Sequence, residues 1–128
     1  MFDMLSVKAA GLKTTPKELC DSFMEKIADG KLKSAFALLK PHFPIDEQNL
    51  NNLLVQAEGH IPTFKAKYGE MLGFELVKKQ EAKDLFMELT YVMKFEISAV
   101  RWVFMFYKPK KNWIVNMIHY DEKQDLIF

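Results

Sequence analysis

The chain reads as an α+β domain, three helices followed by an antiparallel sheet, and three observations carry that reading. Apolar residues recur at spacings of three and four between Leu19 and Ile61. From about residue 71 the apolar period becomes two. No Gly/Ser linker and no internal repeat interrupts the 128 residues, so 1–128 forms one domain with 1–14 as a peripheral N-terminal segment.

The helices come first. Thr15, Pro16 and Glu18 make a start signal: a cap, a proline suited to the first helical position, and a capping-box acceptor. Leu19, Phe23 and Ile27, with Cys20 and Met24 beside them, form one stripe that Gly30 ends. Leu32, Ala35, Phe36 and Leu39 define a short second helix closed by Pro41. In the third, Asp46 caps while Ile45 and Leu50 have hydrophobic-staple spacing. Its stripe is Leu50, Leu53, Leu54, Ala57 and Ile61. Pro62 should bend or break it, and Gly69 ends a last turn at Tyr68.

Strands are predicted over 71–80, 85–96, 99–108 and 112–120, with 125–128 as a candidate fifth. Turns at Glu81–Asp84, Ile97–Ser98 and Pro109–Asn112 let alternation sort the side chains onto two faces. One face collects Leu72, Phe74, Leu76, Leu85, Met87, Leu89, Tyr91, Met93 and Phe95. It continues through Val100, Trp102, Phe104, Phe106, Trp113, Val115, Met117 and His119, and must be the helix-covered core. The other face is mixed. Glu75, Glu88, Lys94, Arg101 and Asn116 are flanked by Val103, Met105, Tyr107, Ile114, Ile118 and Tyr120. That blend is too apolar for free solvent and too polar for a dry core, as at a subunit interface.

Composition narrows the function classes. A net charge of +1 gives no global reason to bind nucleic acid. "KPKK" at 108–111 has no interleaved aromatics and reads as a solvated hairpin tip. No apolar run approaches the roughly 18 residues of a membrane span. The start lacks the basic and apolar regions of a signal peptide, so the chain as given reads as cytoplasmic, or as exported if a signal was trimmed. Cys20 sits in an apolar stripe and reads as a structural thiol. His42, His60 and His119 lack ligand spacing, so neither a metal nor a cofactor is expected.

"DGKLKSAFALLKP" (29–41), the long third helix ending in "KYG" (67–69) and the final hairpin with Trp113 together resemble the nuclear transport factor 2-like superfamily, a cystatin-like α+β cone. "RWVFMFYKP" (101–109), "NWIV" (112–115) and "DLIF" (125–128) are similar to a group of small uncharacterised bacterial proteins. The resemblance implies three N-terminal helices on a strongly curved antiparallel sheet of four to five strands, enclosing a conical cavity. Its motifs are signatures of a fold, and function has to be argued from a site.

Pocket candidates are therefore the inward Tyr91, Met93, Trp102, Phe104, Met117 and His119. The eight methionines suit an adaptable lining. Dimer-interface candidates are Glu75, Arg101, Val103, Met105, Tyr107, Ile114, Asn116, Ile118 and Tyr120, with a Glu75–Arg101 pair supplying orientation. An isomerase-like site needs a carboxylate base and an oxyanion donor, and the strand carboxylates Glu75, Glu88 and Glu96 all sort to the outer face. No residue is therefore assigned a catalytic role. The expectation is a non-catalytic domain that binds a small apolar ligand or a protein and forms a homodimer. One alternative is a lyase, isomerase or hydrolase using His119 with Tyr91. A second is a structural dimer module whose cone is filled.

Overall fold

A computed structural model describes residues 14–44 and 46–128. The segment 1–13 and Ile45, with its staple to Leu50, lie outside the described residues. The architecture is α+β: helices α1 (Pro16–Ala28), α2 (Leu32–Leu39) and α3 (Glu47–Tyr68) precede a four-stranded sheet. A 3-10 turn, Lys40–His42, joins α2 to α3, and a second, Gln124–Ile127, ends the chain.

The helix starts follow the cap residues. Glu18 N–H donates to Thr15 Oγ1 at 3.1 Å and Thr15 N–H donates to Glu18 Oε1 at 2.9 Å, the reciprocal capping box. Asn49 N–H donates to Asp46 Oδ1 at 3.2 Å at the head of α3. Of the expected bend or break at Pro62, a break does not occur: α3 continues through it to Tyr68. Pro62 and Glu58 are both exposed, so water can satisfy the Glu58 carbonyl that loses its N–H partner. Gly69 then turns the chain with φ 93°, a conformation that favours glycine. A Cβ there would lie 2.4 Å from Glu96 Oε1, an atom that also accepts from Glu70 N–H.

The strands β1 (Met71–Ala82), β2 (Phe86–Phe95), β3 (Ala99–Tyr107) and β4 (Ile114–Asp121) form an antiparallel meander in chain order. The first turn lies one residue later than predicted. Lys83 and Asp84 have φ of 52° and 54°, and Leu85 N–H closes the turn on the Ala82 carbonyl. Leu85 is consequently exposed rather than inward. The β2–β3 ladder has no irregularity, with Tyr91 opposite Trp102 and Leu89 opposite Phe104. This register is two residues from the predicted one, a shift that leaves both faces unchanged.

The outer ladders are irregular. Between β1 and β2 the register shifts at Leu72 and again at Val77. Leu72, expected inside, is an unpaired extra residue and is exposed. Between β3 and β4 the predicted register holds for Tyr107–Ile114 and Phe106–Val115, then breaks at Asn116. Beyond this bulge Met105 faces Met117, Phe104 faces Ile118, Val103 faces His119 and Trp102 faces Tyr120. One extra residue reverses the alternation. Ile118 and Tyr120 therefore turn toward the helices, whereas Met117 and His119 turn outward, each opposite to expectation.

The core lies between the helices and the inner face. Phe23 of α1 is its centre, packed edge-to-face on Phe36, Phe104 and Trp102 with centroids 5.1, 5.3 and 5.5 Å away. Tyr120 lies on Trp102 at 4.8 Å and meets Phe64 of α3 at 6.2 Å. The expected strand at 125–128 is a 3-10 turn instead. Its backbone bonds locally, Leu126 N–H to the Lys123 carbonyl, and Gln124 Nε2 anchors it on the Ala99 carbonyl at 3.1 Å.

Candidate functional site

Four of the six pocket candidates form solid interior. Tyr91, Met93, Trp102 and Phe104 are 0 % exposed. A side chain lining a cavity large enough for water would present some surface to it, and these present none. The Tyr91 hydroxyl donates to Asp21 Oδ1 of α1 at 2.6 Å and reaches the Lys17 carbonyl at 3.3 Å. Burial, then this bond to Asp21, pushes the Tyr91 phenol well above its usual range. It serves as a strut between sheet and helix. Trp102 Nε1 is buried and has no hydrogen-bond partner among the described residues. The pairing of Tyr91 with His119 in one active site is not realised, because the two stand on opposite faces of the sheet.

On the outer face, Arg101 does not pair with Glu75. Its Nε and Nη2 donate to Asp121 Oδ1 and Oδ2 at 3.0 and 2.6 Å, a bidentate fork. Lys123 N–H also donates to Asp121 Oδ1 at 3.0 Å, and His119 Nε2 lies 3.4 Å from Oδ2. The Arg101 bond holds the Asp121 carboxyl below its ordinary range. Glu75 faces Lys94 at 3.8 Å in solvent, where such a pair contributes little. The middle of this face is already covered within one chain: Val103 and Thr90 are each 2 % exposed and Arg101 is 9 % exposed.

Toward the β1–β2 turn the same face opens. Phe86 stacks on Tyr107 with centroids 5.1 Å apart and remains 40 % exposed. Phe86 and Met105, with Gln80 and Glu88 at the rim, border a shallow hollow of about 520 Å³. Met105, Tyr107 and Ile114 are half-buried there. Of the interface candidates, Met105, Tyr107 and Ile114 thus remain together on an accessible surface. Ile118 and Tyr120 leave the group, and Asn116 lines a different cleft.

That second cleft, about 350 Å³, lies between the first turns of α3 and the bulge of β4. Asn49, Asn52 and Gln56 of α3 face Asn116 across it, over Leu53 and Ile118. It was not foreseen, although Asn49, Asn52 and Gln56 recur at helical spacing on one side of α3. A third cleft of about 480 Å³ lies where α1, α2 and α3 meet, with Lys31, Lys33 and Lys65 at its rim.

At the far end of α3 a polar cluster ties helix to sheet. His60 Nδ1 is 2.6 Å from the Tyr120 hydroxyl, and Glu122 accepts from the Tyr68 hydroxyl and from Lys67. Burial raises the Tyr120 phenol to about 12. The hydrogen bond from Tyr68 lowers the Glu122 carboxyl. Among the described residues no group of three or more His, Cys, Asp and Glu could hold a metal ion, and no helix is long and apolar enough to cross a membrane. No known protein family, curated protein or solved structure matches this chain.

Proposed function

We propose that the chain is a nuclear transport factor 2-like interaction module that pairs with a second copy of itself through the open part of its outer sheet face. One observation carries the reading. A protruding aromatic, Phe86, stands beside a hollow of about 520 Å³ on the same face. A two-fold contact lays a patch on its own copy, so a knob next to a hole can be satisfied twice by one geometry. Tyr107, Met105 and Ile114 supply the apolar centre, and Lys78, Gln80 and Glu88 supply a rim of both signs. The closed interior behind Tyr91 and Trp102 supports the version of the fold whose cone is filled with side chains.

Light scattering at high micromolar concentration tests this. The expected mass is twice 15.0 kDa, with an interface burying roughly 1,200–2,000 Å² in total. Phe86→Glu should return the protein to a folded monomer, because the side chain is exposed in the single subunit. A monomeric wild type removes the self-association reading. The hollow would then be read as a seat for a small apolar ligand, detectable by mass spectrometry of lipophiles that co-purify with the wild type and are lost in Phe86→Glu.

A further inference from the structure

We propose that the cleft between α3 and the β4 bulge is a binding site for a neutral small molecule carrying a secondary amide. Four carboxamides, Asn49, Asn52, Gln56 and Asn116, converge on it from two elements. Asn49, Gln56 and Asn116 make no side-chain hydrogen bond among the described residues. Asn52 uses only its carbonyl, accepting from Gln48 at 3.0 Å, and keeps both amide protons. Asn116 is half-buried beside the cleft. The bulge makes it the extra residue of β4, and bulges re-aim side chains beside binding sites.

The chemistry of the walls selects the ligand. A trans amide points its N–H and its C=O in opposite directions, so carboxamides on the two walls can serve one each, accepting from the N–H on one side and donating to the C=O on the other. A hydroxyl donates and accepts at a single oxygen, so it cannot span the two walls in this way. Among the described residues no cation lines the cleft, and the one carboxylate there, Asp46, is engaged as the cap of α3. An anion therefore finds no charged partner among these side chains. Leu53 and Ile118 form an apolar floor on which an acetyl methyl can rest. About 350 Å³ is at the small end of ligand pockets, enough for one sugar or one dipeptide unit.

The acetamido group occurs in both N-acetylated sugars and peptides, and the test separates them. N-acetylglucosamine, N-acetylalanine methylamide and glucose, which lacks the amide, are titrated into isotope-labelled protein. The side-chain NH₂ signals of Asn52, Gln56 and Asn116 are followed by NMR. Saturable shifts with a Kd of about 1–10 mM are expected for at least one amide probe and not for glucose. The probe that binds identifies the source. Losing one hydrogen-bonding amide should weaken binding about tenfold, in Asn116→Ala and separately in Asn52→Leu. Asn52 is exposed on a helix, so that variant folds even if the bulge variant does not. Non-saturating shifts, equal shifts with glucose, or unchanged affinity in Asn52→Leu would overturn the proposal.

Discussion

Replacing Ile118 and Met117 separately by alanine tests the β4 bulge directly, because the two neighbours exchange faces if the bulge is absent. Ile118 is 9 % exposed, opposite Phe104 on the helix side, whereas Met117 is half-buried on the outer side. Ile118→Ala removes three buried carbons, about 2.4 kcal/mol at about 0.8 kcal/mol each. The unfilled space should raise the loss to about 3–4 kcal/mol. Met117→Ala should cost about 1 kcal/mol or less, as for partly exposed positions. Urea melts report both. With a slope of about 1–3 kcal/mol/M, the Ile118 variant should unfold at least about 1 M earlier at unchanged slope. The Met117 variant should lie close to wild type. A larger loss in Met117→Ala than in Ile118→Ala would mean that the ladder runs without interruption and that Asn116 is an ordinary ladder residue. Ile118→Arg, which an outward Ile118 would make a dimer-breaking change, should instead unfold the subunit by burying a charge.

Two other outcomes follow from specific contacts. The Asp121 carboxyl titrates below its ordinary 3.8 because Arg101 donates to it; folded below unfolded means its stabilisation is present above pH 3.8 and is lost as pH falls toward the lowered value. Asp121→Asn should therefore flatten that acid limb and cost about 1.5–3 kcal/mol at neutral pH, read from melts across pH. Gly69→Ala should cost about 1–3 kcal/mol, since alanine must adopt φ 93° and its Cβ would meet Glu96 Oε1 at 2.4 Å. Adding Glu96→Ala to that variant should relieve the Oε1 contact only, leaving the residue 96 Cβ at 3.0 Å, the lost Glu70 N–H bond and the conformational part.

The helices were legible because their signals are local. Thr15 with Glu18, and Asp46 before α3, state where a helix begins without reference to anything distant. The faces of β2 and β3 were legible because a register error of two residues leaves parity untouched. β4 was misread from Asn116 onward because alternation was carried forward from Trp113. Met-Ile-His-Tyr contains apolar and polar members in either phase. Read backward from Asp121, the same strand places His119 and Asp121 outside and Ile118 and Tyr120 inside, a cleaner separation that marks the bulge. The carboxamide cleft went unseen because it joins α3 to a bulge, and neither half signals the other. The Arg101–Asp121 fork was missed because Asp121 lay just past the predicted end of the strand.

The distribution of bulges has a consequence for the chain in a crowded solution. The central ladder between β2 and β3 is regular, while β1 and β4, the outermost strands among the described residues, each carry a bulge, β1 two of them. An outermost strand offers a free row of N–H and C=O groups, and a long even row is a template for strand addition by another molecule. At Leu72, Val77 and Asn116 that row is interrupted and twisted, so an incoming strand could pair for only a few residues before losing step. Removing Asn116 would leave the core side chains on their own faces while evening out one border of the sheet. The expected cost is then not a loss of fold but a gain of fibrillar association, visible as thioflavin-positive growth from native protein.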